Sequence, residues 1–104
     1  MANMMKMMKQ AADMQKNMQK MQAEMAEKTV EFSAGGGAVT VTARGDITVQ
    51  SIKIDPKVVD PEDVEMLEDL VLAGVDGALK QAQEMVNEEM SKLTKGLNIP
   101  GLGM

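Results

Sequence analysis

Apolar side chains near the start of the chain recur at alternating steps of three and four: Met4, Met7, Ala11, Met14, Met18, Met21 and Met25. This is a heptad seam. At about 100° per residue the seven positions cover an arc roughly 100° wide, while Lys6, Lys9, Lys16 and Lys20 cover about 80° on the opposite side. The pattern predicts a two-faced helical arm over residues 1–28. One face is soft and apolar and suits a partner helix. The other sets four lysines against a single acid, Asp13, and suits something anionic.

From Thr29 the period shortens to two. Val30, Phe32 and Ala34 alternate with Thr29, Glu31 and Ser33, then Gly35, Gly36 and Gly37 break the run. Residues 38–43 (AVTVTA) form a second β-branched run, Arg44-Gly45-Asp46 turns the chain, and residues 47–55 supply a third strand. The sheet, residues 29–55, is therefore expected to be a three-stranded antiparallel meander. Along its last strand the apolar parity switches: Ile47 and Val49 share one face, Ile52 and Ile54 the other. A bulge near Gln50 and Ser51, or burial on both faces, would account for this.

Asp55-Pro56 ends the strand, and Asp60-Pro61-Glu62-Asp63 predicts a helix over residues 60–95. Asp60 is expected to cap, Pro61 to take the first helical position, and the acids to meet the positive end of the dipole. An apolar stripe through Val64, Leu67, Val71, Val75, Ala78, Ala82, Val86 and Leu93 leads to Lys95, with Gly96 as the stop. Residues 70–75 (LVLAGV) are apolar all round, which is expected of a segment buried between its own sheet and a second subunit. Leu70, Val71, Leu72, Gly74 and Val75 are accordingly the candidate dimer interface. Gly74 and Gly77 each cost about 1 kcal/mol against Ala in a helix, suggesting close approach of another backbone. The Gly/Pro-rich tail, residues 96–104, is expected to be mobile.

The order of these segments predicts an α+β fold, α-β-β-β-α, and the length leaves room for one small domain over residues 1–104. With no Trp or Tyr and one Phe, the core must come from aliphatic side chains, Met and Ala. Each large aliphatic side chain contributes about 1.5–3 kcal/mol when fully buried. A monomer built this way is marginal, which favours a homodimer. Absence of Cys fits a reducing compartment. Neither a secretory signal nor a membrane span is expected, so the default location is the cytoplasm.

The formal net charge of −5 argues at first against a polyanionic partner, but the charge is unevenly placed. Residues 1–23 carry +3 and the remainder −8. Lys6 and Glu24 stand about 27 Å apart along a helix, beyond a Debye length of about 8 Å at physiological salt. A phosphate near the tip of the arm therefore feels the lysines far more than the acidic body.

The order of elements, the Met/Gln/Lys-rich opening helix, the Gly35-Gly36-Gly37 turn into AVTVTARGD, the IKID of residues 52–55, and above all DPEDVEMLEDLVLAGVDGAL over residues 60–79 resemble the YbaB/EbfC family of nucleoid-associated proteins. Gly77 departs from the bulkier or polar residue expected there. The resemblance implies a homodimer in which sheets and second helices join while the first helices project like the arms of tweezers. It also implies a protein that binds duplex DNA, alters its conformation and influences nucleoid organisation and gene expression.

On that reading Lys6, Lys9, Lys16 and Lys20 meet phosphates, with Gln10, Asn17 and Gln19 adding hydrogen bonds. The arm holds no Arg, and so none of the planar forks that most often read guanine, so little sequence preference is expected. The plainer reading of the lysines is a solvated face with weak pairs such as Lys9 with Asp13 and Lys20 with Glu24. Arg44 and Lys53 are the remaining basic candidates, on the sheet.

Other chemistry is poorly supported. Without His or Cys there is neither a hydrolytic triad nor thiol catalysis, and the acid pairs lack metal-ligand spacing. No enzyme activity, cofactor, metal site or small-molecule substrate is expected. Clustered methionines do bind soft metals, but a regular seam fits helix packing better. The triple glycine lacks the Lys-Ser/Thr of a phosphate loop, and Arg44-Gly45-Asp46 is a short chance match to an adhesion tripeptide. Two further classes are a scaffold docking partner helices on the Met-rich face and an arm lying on anionic lipid, the latter weakened by missing aromatic anchors.

Overall fold

The computed structural model describes residues Ala2–Leu97, with side chains for residues 3–92. The elements run α1 (Ala2–Glu27), β1 (Thr29–Ala34), β2 (Val39–Arg44), β3 (Val49–Ile54), a 3₁₀ turn (Pro56–Val58) and α2 (Val64–Leu97). The strands form an antiparallel sheet in the order β1-β2-β3, the meander expected from the alternating runs.

Why the sheet has one buried face follows from its register. On β2, Val39, Val41 and Ala43 are buried and alternate with half-exposed Thr40, Thr42 and Arg44. Their partners Ala34, Phe32 and Val30 on β1 share that face. The opposite face is polar, and Ser33 and Thr40 hydrogen-bond across it at 3.0 Å. Ala78 and Ala82 of α2 complete the fully buried core, flanked by Val30, Phe32, Leu67, Leu70, Val71, Val75 and Leu79.

The parity switch on the third strand is a bulge. Thr42 pairs with Ser51 but Ala43 pairs with Val49, leaving Gln50 as the extra residue. The bulge returns Val49 to the same face as Ile52 and Ile54, opposite Ala43, Val41 and Val39 respectively. Ile47 does not begin the strand. It sits in the preceding turn at φ 62°, a left-handed conformation that is costly for a β-branched side chain.

The start of α2 also differs from expectation. Asp60 accepts a hydrogen bond from the Glu62 N–H (2.9 Å), closing a local turn outside the helix. Asp63 is the cap: its Oδ1 accepts from the Met66 N–H (3.3 Å), three residues on. Pro61 is thus in the approach rather than the first turn. At the other end Gly96 does not stop the helix, which continues to Leu97. Leu93 and most of the expected mobile tail, from residue 98 on, lie outside the described side chains or residues.

Gly74 and Gly77 of α2 face the chain's own sheet. A Cβ on Gly74 would lie 2.9 Å from Val41 Cγ2 and 3.3 Å from Val39 Cγ1, and one on Gly77 would collide with the edge of the Phe32 ring at Cε1. The close approach inferred from these glycines is therefore to side chains of the same chain and not to a second backbone. Gly77 makes room for the chain's only aromatic residue.

The molecule measures 76 × 26 × 15 Å, with a radius of gyration of 20.6 Å where a compact chain of this length has about 13 Å. Two long helices, of 26 and 34 residues, stretch the molecule, and α1 is held at its C-terminal end, where Met25 is buried.

Candidate nucleic-acid interface

The heptad pattern that makes residues 2–27 helical also decides which part of α1 is held. Met25 is buried, 8% exposed, and Met21 half-buried. Gly45, in the turn between β2 and β3, lies directly under Met25: a Cβ there would collide with the Met25 carbonyl oxygen. The Gly45 N–H donates to the Lys28 carbonyl (2.8 Å), and Lys28 Nζ pairs with Glu89 of α2 at 3.4 Å. Beyond this root the seam is bare, with Met18 49% and Met4 69% exposed.

Lys6, Lys9, Lys16 and Lys20 are all exposed along the far side of the arm. Among the described residues the ion pairs are Lys28–Glu89, Arg44–Asp46 (3.9 Å) and Lys80–Asp76 (3.1 Å), and none uses an arm lysine. The pairs Lys9–Asp13 and Lys20–Glu24 are not formed among the described residues. The lysine charge is left facing outward on a helix removed from the acidic body.

The three amides expected beside the lysines are placed less evenly. Gln10 and Asn17 border the apolar seam, lining a shallow hollow of about 450 Å³ with Asp13, Met14, Met18 and Met21. Gln19 lies about 100° from the middle of the lysine face, on its other edge. The structure therefore brings the four lysines together and sets Gln10, Asn17 and Gln19 at the margins. Of the sheet candidates, Arg44 is engaged by Asp46 and Lys53 stands on the polar face with Glu31 on the same sheet, so no second basic cluster forms there.

The expected dimer residues divide. Gly74 is buried on β2, and Leu70 closes over Gly35 in the β1–β2 turn, so both serve the chain's own fold. Val71 and Val75 are half-buried against the same core. Leu72 is 69% exposed. Gly77 meets β1 and Gly74 meets β2; continuing round the helix in the same sense brings Val75, Leu79 and Leu72 toward β3. There Val49, Ile52 and Ile54, on the helix-bearing face, remain between 37% and 43% exposed. This β3 strip was missing from the sequence reading, although the parity switch marked it once the bulge is recognised.

Among the described residues no three His, Cys, Asp or Glu side chains are grouped to hold a metal ion, and no described helix is long and apolar enough to cross a membrane.

Residues 1–97 match the sequence model of the YbaB/EbfC DNA-binding family. The chain belongs to this family. Curated relatives of the YbaB/EbfC chain include a "Nucleoid-associated protein" of Alkaliphilus metalliredigens, 60% identical over 100 residues, covering 96% of this chain and 88% of the relative. Another of the same description, from Moorella thermoacetica, is 57% identical over 101 residues, covering 97% of each. Among solved structures, an uncharacterized protein, HP0035, from Helicobacter pylori shares the fold with a TM-score of 0.56 at 18% identity, covering 85% of this chain and 95% of that one.

Proposed function

We propose that this YbaB/EbfC chain is a nucleoid-associated protein that binds duplex DNA as a homodimer, through the lysine faces of two projecting arms, with little preference for sequence. The observation that carries this reading is the set of four exposed, unpaired lysines held along a helix clear of a body that is net acidic. Family membership and relatives named as nucleoid-associated proteins support it, and they support a place in the nucleoid of the cytoplasm. Lysine is a point charge on a flexible stem, suited to phosphate and poor at distinguishing bases. The reading involves no reaction, cofactor or small-molecule substrate.

If about four lysines per dimer touch phosphate, raising salt from 50 to 200 mM weakens binding on the order of 100-fold through counterion release. Fluorescence anisotropy with two unrelated duplexes, and anionic liposomes as control, measures this. A flat salt dependence, or equal binding to liposomes, rules the reading out.

The second copy is assigned to the bare strip of Val49, Ile52 and Ile54 beside Leu72. Burying these side chains completes a core in which Val39 and Val41 are the only large side chains fully enclosed among the described residues. The double variant Ile52→Asp/Leu72→Asp should sediment as a single folded chain where the wild type sediments as two, because four buried carboxylates would face one another across the two-fold. A variant that remains dimeric would place the interface elsewhere.

A further inference from the structure

The body interface and the lysine faces leave one large feature without a role: the bare seam of the arm, from Met4 through Met18, with side chains 49–69% exposed at Met4, Met7, Met14 and Met18. We infer that this seam binds the same seam of a second copy, antiparallel, so that arms from two body dimers pair while their lysines face outward.

The occupant follows from what borders the seam. In the heptad frame the flanking positions between Met4 and Met21 are Met8, Gln15, Gln10 and Asn17. All are uncharged. Identical helices side by side bring identical flanks together, so charged flanks of one sign would repel, whereas amides both donate and accept and are complementary to themselves. An acidic partner helix would call for lysines at these flanks, and so would an anionic lipid surface. The lysines instead lie on the far side, where a second arm does not cover them.

Direction follows from side-chain size. Antiparallel alignment that sets Met7 against the second copy's Met18 also sets Met4 against Met21 and Ala11 against Met14. The only small residue of the stretch then meets a long, adaptable methionine, and the pattern repeats on the other half of the pair. Gln10 and Asn17, which line the hollow beside Met14 and Met18, meet each other in the same alignment. Parallel alignment would stack Ala11 on Ala11 and leave a gap in mid-seam.

The chain contains no cysteine, so cross-linking is clean. Met7→Cys and Met18→Cys are prepared separately, mixed without DNA and oxidised. The mixture should form cross-linked pairs at least about tenfold above either variant alone, because like positions lie about 16 Å apart in this alignment, beyond disulfide reach. A mixture no better than the single variants, or self-cross-linking of Met7→Cys alone, overturns the proposal. Both positions are exposed, so folding is not at risk. Sedimentation of the unmodified chain should show two chains passing to four as concentration rises, and Met14→Glu should stop at two; a wild type that never exceeds two overturns it equally. The proposal builds on the body dimer but is separable from it: in an Ile52→Asp/Leu72→Asp background the same cross-links should persist, stepping from one chain to two.

Discussion

Replacing Lys6, Lys9, Lys16 and Lys20 together by Ala should weaken duplex binding at least about 100-fold at 50 mM salt and flatten its salt dependence, measured by anisotropy titration. The estimate comes from removing about four phosphate contacts per dimer, each contributing close to one unit to the slope of log affinity against log salt. Alanine is the best helix former, so the arm itself survives, and circular dichroism should show unchanged helicity. None of the four is ion-paired in the folded chain, so no partner is left exposed by the change. A matching Lys→Arg set keeps the charge and should retain affinity. Should the alanine variant bind as tightly as wild type, contact would have to pass to the sheet, where Lys53 and the Asp46-bound Arg44 are the basic groups.

The second large effect is on stability and centres on Gly77. Gly77→Leu inserts a side chain where the Phe32 ring already lies, and overpacking of this kind costs about 1–3 kcal/mol. Phe32→Ala removes much of a core built on few large side chains and should cost about 3 kcal/mol, the lower end for a buried Phe because Phe32 is half-buried here. Combined, the two changes should cost clearly less than their sum, since leucine enters the space the ring vacates and replaces a helical glycine. For a chain of this size each kcal/mol shifts Tm by about 4–8 °C, so thermal melts resolve the difference. Additive losses would mean the two residues do not share a site.

The helices, the three strands and the two-faced arm were all legible because each rests on periodicity, which local sequence records directly. Phe32 and Val30 fell on the buried face as their alternation requires. What was less legible depends on which element a side chain meets. Asp60 and Asp63 both precede helix-forming residues and both suit a cap; only the backbone path shows that Asp63 reaches Met66 while Asp60 is used in a turn. An all-apolar segment cannot say which of its sides meets its own sheet, so the packing of Leu70 over Gly35 and of Gly74 on β2 could not be separated from interface positions in the sequence. The glycine at 77 looked anomalous until its partner, 45 residues earlier in the chain, was placed against it. In the candidate site the lysine face was readable from spacing, whereas the exposed strip on β3 depended on one extra residue, Gln50, that reverses the facing of everything before it.

Gly45 has a mechanical consequence. It seats the end of a lever 26 residues long, about 39 Å at 1.5 Å per residue, whose residues from Asn3 to Lys20 are all exposed. Tilting that lever by roughly 10° carries its tip about 7 Å, the rise of two base-pair steps. The fit of a single hydrogen-sized side chain under the Met25 carbonyl thus sets the direction in which the lever points, and a bulkier residue at position 45 would re-aim it without altering any charge.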